Sequence, residues 1–353
     1  MQYKSLIIEN FRSLKKLEIE NLKKVNLLVG RNNCGKTSAL EALFLLSGMS
    51  NPQLPISIHN FRDLILTNSN DFCYMFYNLD FTIPINLKGA FENKNRALII
   101  TPLKETMDLN SNEQKKINEK QNTEIIATTS LKQTVKGINL QFQSDKNQKL
   151  FDSQIYLQEN NIKLHVPNYK EDLKCTFLNN KTLIPGLDKK IGDLSKEKKL
   201  SPLINILKSI EPLIEDVRTI GNLIYIDIGK ENLIPLNIMG DGIQRILAIL
   251  TTIHDMKDGV VLIDEIENGF HYASILILWK AIFAACKEYN VQLIATTHSY
   301  ECINAFSKEY NLIEPDGDDI RLFRIDKIEN KHKAYPYNPQ VLKTGIEKEF
   351  EVR

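Results

Sequence analysis

The stretch VGRNNCGKTSALEAL, residues 29–43, decides the fold. It fills every fixed position of the phosphate-loop pattern G-x-x-x-x-G-K-[ST] with Gly30, Gly35, Lys36 and Thr37. Glycines let successive backbone N–H groups turn inward around phosphate oxygens, and the helix that follows points its positive end at the same anion. Lys36 is expected to neutralise the β- and γ-phosphates of a nucleotide, and the Thr37 hydroxyl to bind a magnesium ion.

The sequence on both sides of this loop supports a nucleotide site. KVNLLVG before the loop is apolar and predicts a buried parallel strand, and SALEALFLLSG after it has the apolar spacing of a helix. The whole loop is expected to contact ATP. Its predicted nucleotide-binding residues are Gly30, Arg31, Asn32, Asn33, Cys34, Gly35, Lys36, Thr37 and Ser38.

Composition narrows the class of protein without naming a function. Among 353 residues, 45 Lys and Arg balance 44 Asp and Glu, so no overall basic charge indicates a nucleic-acid partner. The five cysteines form no C-x-x-C pair, which favours reduced thiols. No 18-residue apolar run and no signal peptide is found, so we expect a cytoplasmic protein without a membrane partner.

The distribution of apolar and polar residues along the chain predicts a core interrupted by an insertion. Residues 1–50 and 220–353 show apolar strands and helices, whereas residues 51–219 are more polar and alternate in short bursts, which predicts antiparallel strands and helical excursions. Two segments, 104–122 and the lysine-rich 188–199, have so few apolar residues that we expect solvated excursions.

A second informative stretch is GVVLIDEIENGFH, residues 259–271, an apolar strand that ends in Asp264 and Glu265. Asp264 is placed to hold a magnesium ion through its water shell, and Glu265 to polarise a water for attack on the γ-phosphate. Alone, two acids after an apolar strand are as typical of a loop. The complete phosphate loop favours the catalytic interpretation.

A third strand, VQLIATTHS at residues 291–299, leads to His298. Parallel α/β sheets place ligands at the carboxyl ends of their strands, so His298 is predicted to sense the γ-phosphate. The remaining histidines have no metal-like spacing.

The fourth element is NIMGDGIQRILAILTTIHD, residues 237–255, whose apolar residues recur at helical spacing after Gly240 and Gly242. On its own, Asp241 is better interpreted as the N-cap of that helix.

In order and spacing, these four elements resemble the ABC-type ATPase heads of SMC and RecF proteins. The chain most resembles the OLD-like ATPases of phage-defence systems, on the segments IIENFRSL, GDGIQR, DEIENGFH and GIEKEFEVR. The resemblance covers residues 1–50 and 220–353 well and the middle poorly. It implies an α/β fold: a phosphate-loop ATPase head with a mostly parallel core sheet, an antiparallel β subdomain and a helical or mobile insertion.

The resemblance also implies a composite site. Asp264 and Glu265 match the family's metal-holding and catalytic acids, and His298 its switch histidine, with ATP and Mg²⁺ as ligands. A further set falls on the signature segment, which in this family contacts the γ-phosphate bound by the opposite subunit: Gly240, Asp241, Gly242 and Gln244. Asn268 and Gly269 fall where the family has the loop that crosses the dimer interface.

Four positions depart from the family pattern or have a role that the pattern leaves open. Gly240 stands where the signature serine usually lies, and Asp241 adds a negative charge near a negative ligand. Gln53 is a candidate for the glutamine that contacts magnesium. Arg12 could contact phosphate or DNA, or be solvated.

Two features of larger family members are expected to be missing. No segment supplies the heptads of long SMC arms. Only 55 residues follow His298, so we expect no OLD-type nuclease domain, and Asp316 to Asp319 to form a turn rather than half of a metal site.

Two functions remain in competition. In the first, two copies form a homodimer that sandwiches ATP, and hydrolysis opens the dimer. A separate effector, such as a nuclease of a defence or toxin-type system, detects which state is present. The sequence does not decide between a dimer and a higher oligomer. In the second, the chain is a RecF-like ATPase of DNA repair or recombination that binds DNA. A GTPase is a weaker third hypothesis, because the chain has no N-K-x-D motif.

Overall fold

A computed structural model describes residues 2–91, 94–107, 132–143, 149–158, 161–182, 185–329 and 331–348. The strands within these residues are β1 Tyr3–Phe11, β2 Leu14–Glu20, β3 Val25–Val29, β4 Ile85–Phe91, β5 Asn95–Met107, β6 Lys132–Gln143, β7 Leu150–Gln158, β8 Asn161–His165, β9 Cys175–Leu178, β10 Asp216–Ile220, β11 Leu223–Asp227, β12 Ile234–Pro235, β13 Val260–Ile263, β14 Gln292–Thr296, β15 Ile320–Ile328 and β16 Lys331–Tyr337. The helices are α1 Lys36–Ser47, α2 Leu54–Asn60, α3 Leu187–Lys196, α4 Leu200–Ile210, α5 Asp241–Asp255, α6 Tyr272–Glu288, α7 Tyr300–Ile313 and α8 Pro339–Glu347. Short 3₁₀ helices cover Ser69–Met75, Tyr77–Leu79 and Leu236–Ile238.

The sheet that carries the phosphate loop has the order β16-β15-β3-β14-β13-β9 among the described strands. Each pair of adjacent strands in this sheet is parallel, except the antiparallel pair of β15 and β16. β3, β13 and β14 are buried along their whole length, as expected of parallel strands covered on both faces. Their carboxyl ends therefore meet at one edge of the sheet.

The largest described sheet is antiparallel, with the order β2-β1-β4-β5-β6-β7-β8. The predicted mostly parallel sheet therefore does not describe the fold as a whole. The reason lies in β1 and β2, which we assigned to the core: a tight turn at Arg12 and Ser13 folds them into a hairpin, and β1 then pairs with β4. A small sheet of β10, β11 and β12 lies apart from both.

Helix α1 lies between the two large sheets. One hydrophobic cluster joins residues of α1 to the seven-stranded sheet and to Leu28, Leu262 and Ile294 of the other sheet. A second cluster takes the alternate residues of the same core strands, such as Leu27 and Leu293, and packs them against the helices on the far side. Because α1 has a sheet on each side, it is buried along nearly its whole length.

Segment 188–199, expected to be a solvated excursion, instead lies largely in helix α3. Leu187, Ile191 and Leu194 are buried at helical spacing, and Lys190 donates a hydrogen bond to Thr252 of α5. The many lysines hid this apolar stripe. Among the described residues, no helix is both long and apolar enough to cross a bilayer.

The predicted division at residues 50 and 220 stays a prediction, and two strand pairings cross it. β1 pairs with β4, and β9 of the supposed insertion pairs with β13 in the core sheet. Of the polar segment 104–122, residues 104–107 end strand β5, and the remainder lies outside the described residues.

A buried glutamine joins the two large sheets. Gln292, at the start of β14, accepts a hydrogen bond from the Tyr3 N–H and donates to the Tyr3 carbonyl of β1, each at 2.8 Å. It also donates to the Lys23 carbonyl at 2.9 Å. These backbone groups would otherwise be buried without a partner.

Gln292→Leu is therefore expected to lower the free energy of unfolding by about 3 kcal/mol, because it removes the partners of buried backbone groups. The matched control is Gln141→Leu on an exposed face of β6, expected to change stability by less than about 0.5 kcal/mol. Urea unfolding followed by circular dichroism measures both variants. Equal midpoints for the two would contradict the proposed link between the sheets.

Candidate active site

The phosphate loop has the backbone geometry that its glycines allow. Gly30 has a φ of 140°, and a Cβ there would lie 2.3 Å from the Ile325 carbonyl oxygen of β15. Gly35 has a φ of 94°, and a Cβ there would lie 2.5 Å from the Leu14 side chain. Both positions therefore require glycine for conformation and for space.

The Lys36 ammonium is held inside the loop. Its Nζ donates to the carbonyl oxygens of Gly30 at 2.8 Å and Arg31 at 3.1 Å, and lies 3.4 Å from Nδ1 of His298. The residue is 5% exposed, and burial lowers the pKa of the ammonium group below its usual value. An anion in the loop would offer this buried cation a stronger partner than the carbonyl groups.

Asp264, directly after β13, faces Thr37. The Thr37 hydroxyl donates to the carboxylate, with Oγ1 at 3.1 Å from Oδ1 and 3.2 Å from Oδ2, and Thr296 Oγ1 donates to Oδ1 at 2.6 Å. Burial raises the pKa of Asp264 even though these two hydrogen bonds lower it. Burial therefore disfavours the ionised form of Asp264 although the charge of Arg62 favours it.

Glu265 adopts a left-handed backbone conformation with a φ of 51°, which costs a residue other than glycine roughly 1 kcal/mol or more. Its N–H donates to Thr296 Oγ1 at 2.8 Å. Its side-chain Oε2 accepts from Asn268 Nδ2 at 2.5 Å. Contacts at the backbone and at the carboxylate thus fix where this side chain lies.

His298 follows β14 and is tied to the loop after β13. Its N–H donates to Glu267 Oε1 at 2.7 Å, while its ring lies beside Lys36. Glu267, which we did not single out in the sequence, therefore positions the predicted switch residue.

Lys36, Thr37, Glu265 and His298 border a cleft of about 560 Å³. The predicted site residues Gly30, Arg31 and Asp264 are not among its described lining residues. Its described lining residues are Arg12, Ser13, Asn32, Asn33, Cys34, Gly35, Lys36, Thr37, Ser38, Arg62, Glu265, His298 and Lys327. The sequence pattern did not single out Ser13, Arg62 and Lys327. Lys327 comes from β15, which passes beside Gly30.

Arg12 and Arg62 share one buried carboxylate. Glu41 of α1 is fully buried, and its oxygens lie 2.6 Å from Arg12 Nε and 2.7 Å from Arg62 Nε. The cluster carries two positive charges and one negative charge at the cleft. Both arginines stand in the same pattern, Asn-Phe-Arg-x-Leu, at residues 10–14 and 60–64, a signal that could have revealed Arg62.

The signature segment is not among the described residues that line this cleft. Gly240 caps α5 and has open space around the position of a Cβ, and Asp241 begins the helix and is exposed. Gln244 donates to the carbonyl groups of Leu236 and Met239.

Two further residues stand apart from the phosphate loop. Gly242 packs against the carbonyl of Gly269, in the loop after β13. Gln53, the candidate magnesium contact, lies before α2 and does not appear in the described lining.

The acids at 316–319 do not form a metal site in the described structure. Asp318 pairs with Lys23 at 2.5 Å and with Arg321 at 3.0 Å, and the Asp319 N–H donates to the Tyr310 hydroxyl. No cluster of three or more His, Cys, Asp or Glu side chains in the described parts of the chain could hold a metal ion. A cation at the cleft would take its protein ligands from Thr37 and Asp264.

Comparison with known proteins agrees with this geometry. The family described as "AAA domain, putative AbiEii toxin, Type IV TA system" matches residues 25–304. The chain is 27% identical to an ATP/GTP phosphatase of Helicobacter pylori over 341 residues, which cover 85% of this chain and 86% of that protein. It is 53% identical to the DNA replication and repair protein RecF of Clostridioides difficile over 47 residues, 13% of each chain.

Among solved structures, the chain is similar to the SMC head crystallised with the C-terminal winged-helix domain of ScpA. The TM-score is 0.50 at 14% identity, covering 98% of this chain and 100% of that chain, which shows a shared fold. The family match spans most of the sequence, from β3 into α7, and includes the phosphate loop, the acidic pair and His298. The chain therefore belongs to this AAA-domain family.

Proposed function

We propose that this protein binds and hydrolyses ATP, and that ATP-driven association of two copies makes it a switch for a separate effector in a phage-defence or toxin-type system. One observation carries the proposal. Lys36, Glu265 and His298 border a single cleft, whereas the signature segment lies outside that cleft with open space at Gly240. One chain thus offers the catalytic half of a site and, elsewhere, a surface suited to complete a second site.

Each residue at the cleft has a role that its contacts support. Lys36 exchanges the carbonyl groups of the loop for β- and γ-phosphate oxygens. The Thr37 hydroxyl and the Asp264 carboxylate are hard oxygen donors that already converge, which fits Mg²⁺. When bound, that ion neutralises phosphate charge, and it would also offset the cost of keeping Asp264 ionised while buried.

Glu265 is assigned as the general base that accepts the proton of the attacking water. Asn268 occupies Oε2, so we assign the water proton to Oε1. His298 lies next to Lys36 and is therefore within reach of the γ-phosphate. Arg12 and Arg62, held by Glu41, place positive charge at the same cleft and suit the phosphate chain.

Association follows from where the backbone donors lie. The exposed amino end of α5 at Gly240 and Asp241 offers N–H groups and a positive helix end that no group in its own cleft uses. If a second copy supplies this end to the γ-phosphate, nucleotide binding and association must strengthen each other by the same factor. Two-fold symmetry then buries two nucleotides.

The effector and its biological setting rest on likeness. The matching family is described with a toxin of a type IV toxin–antitoxin system, and the relative in Helicobacter pylori is an ATP/GTP phosphatase. The segments IIENFRSL, GDGIQR and DEIENGFH resemble those of OLD-like ATPases. We therefore infer nucleotide hydrolysis as the activity and a separately encoded protein as the reader of the closed state.

The second candidate function is a RecF-like ATPase that acts on DNA, favoured by the match of 47 residues to RecF. The two functions differ in what changes the ATPase rate. A defence-type switch is expected to respond to its effector, and a RecF-like protein to DNA.

The catalytic assignment predicts two different losses. Lys36→Ala should abolish ATP binding, whereas Glu265→Gln should retain binding and lower turnover by roughly 10²- to 10⁴-fold, the usual contribution of a general base. Lys88→Ala, on an exposed position of β4, is the matched control. ATP binding by calorimetry and phosphate release with magnesium measure these effects, and parental turnover by Glu265→Gln would refute the assignment.

The association model predicts that Glu265→Gln forms a dimer with ATP and not with ADP in analytical ultracentrifugation. Gly240→Arg should abolish this dimer while leaving ATP binding intact, because the side chain enters open space in one chain and blocks a second chain. Gly192→Arg is the control, since a Cβ at Gly192 also meets nothing within 4 Å. An ATP-independent mass, or a dimer that tolerates Gly240→Arg, contradicts the model.

The effector hypothesis predicts that the purified chain leaves plasmid DNA intact in magnesium and ATP, and that single- or double-stranded DNA does not change its ATPase rate. A rise in rate with DNA would favour the RecF-like function instead. Cleavage by the purified chain, absent in Lys36→Ala, would show that the effector activity resides in this protein.

A further inference from the structure

Arg245 lies where three segments of the ATPase meet. It is the fifth residue of α5 and only 7% exposed. Its NH1 group donates to Asn180 Oδ1, just after β9, at 2.6 Å, and its NH2 group donates to the carbonyl oxygen of Glu265 at 3.1 Å. The side chain therefore connects helix α5 to the loop after β13 and to the segment after the edge strand β9.

Close packing fixes the stem of this arginine. A Cβ on Gly269 would lie 3.0 Å from Arg245 Cδ, and a Cβ on Gly242 would lie 3.1 Å from the Gly269 carbonyl oxygen. The first turn of α5 thus rests directly on the loop after β13. A shift of the helix moves the guanidinium group with it.

The charge around Arg245 is largely acidic. Its nearby carboxylates are those of Glu267, Glu265 and Asp241, although its two hydrogen bonds go to an amide and a carbonyl group. Burial lowers the pKa of the Arg245 guanidinium and these carboxylates raise it, but an arginine stays protonated in proteins, so its planar fork joins two neutral oxygens while it carries a positive charge. These hydrogen bonds fix the positions of Asn180 and of the Glu265 backbone relative to Arg245, and neither goes to a carboxylate.

Glu265 needs such support because its backbone is strained. Its N–H group is held by Thr296 and its carboxylate by Asn268, and its carbonyl oxygen accepts hydrogen bonds from Arg245 and from the Asn268 N–H, each at 3.1 Å. Rotation about the N–Cα bond of Glu265 would relax the positive φ and would move both its carboxylate and its carbonyl group. These four contacts together oppose that rotation.

We propose that Arg245 is a positioning residue for Glu265, and that through it the position of helix α5 sets where the Glu265 carboxylate lies. This inference rests on the proposed hydrolysis of ATP at Glu265. It adds a route by which contact at the exposed amino end of α5 reaches the catalytic base within the same chain. The signature segment then affects two sites, the phosphate of the partner subunit and the base of its own.

The test is a set of variants assayed for ATP turnover and, separately, for ATP binding. Arg245→Ala should lower kcat on the order of 10- to 100-fold, as expected of a misplaced catalytic group, with KM changed less than about 2-fold. Arg245→Lys should be intermediate, because one ammonium cannot hold both oxygens as the fork does. Asn180→Ala should cause a smaller loss in the same direction.

Arg321→Ala is the matched control, since Arg321 is also 7% exposed and pairs with Asp318, away from the cleft. It should leave kcat unchanged. A decisive measurement combines Arg245→Ala with Glu265→Gln: if Arg245 acts through Glu265, the double variant should hydrolyse ATP at the residual rate of Glu265→Gln alone.

Several results would overturn the inference. These are an unchanged kcat in Arg245→Ala, a further equal loss in the Glu265→Gln background, or a fall in ATP binding that matches the fall in kcat in both Arg245 variants. If Arg245→Ala does not fold, Arg245→Lys and Asn180→Ala carry the same test. An inactive parent protein would instead refute the proposed function, so the two failures are distinguishable.

Discussion

The parallel, in-register pairing of β3, β14 and β13 is the constraint on which the candidate site depends. Leu27 lies beside Ala295, and Ala295 beside Ile263, so the residues that follow these strands emerge at one edge. The phosphate loop, His298 and the acidic pair therefore meet although they are distant in the chain. Thr296 shows how tight this meeting is, because one hydroxyl contacts both Asp264 and the Glu265 N–H.

The second sheet contributes charge to the same cleft. Its β1–β2 turn carries Arg12, and Glu41 of α1 holds Arg12 together with Arg62 from the segment after α2. A buried carboxylate with two arginines is costly to separate, since removal of either partner leaves an unpaired charge. The antiparallel layer thus borders the same cleft as the phosphate loop.

Sequence patterns could identify the residues whose chemistry and spacing are local. Gly30 to Thr37, the acids at 264 and 265, and His298 each follow an apolar strand, and one edge of the sheet collects them. Strand partners could not be predicted in the same way, because β1 pairs with β4 and β9 with β13 across long stretches of chain. Arg245 escaped notice for the same reason. A buried arginine looks like any surface arginine until its tertiary partners are known.

The place of β3 in its sheet has a consequence during synthesis. Its neighbours are β14 and β15, so this apolar five-residue strand has no partner until the ribosome has translated beyond residue 296. At typical elongation rates, the nascent chain carries an unpaired, aggregation-prone strand for a period on the order of tens of seconds. The antiparallel layer from β1 to β8 can form earlier and cover one side of α1. Production of this protein therefore depends on what shields Val25 to Val29 while the carboxyl-terminal third is still being made.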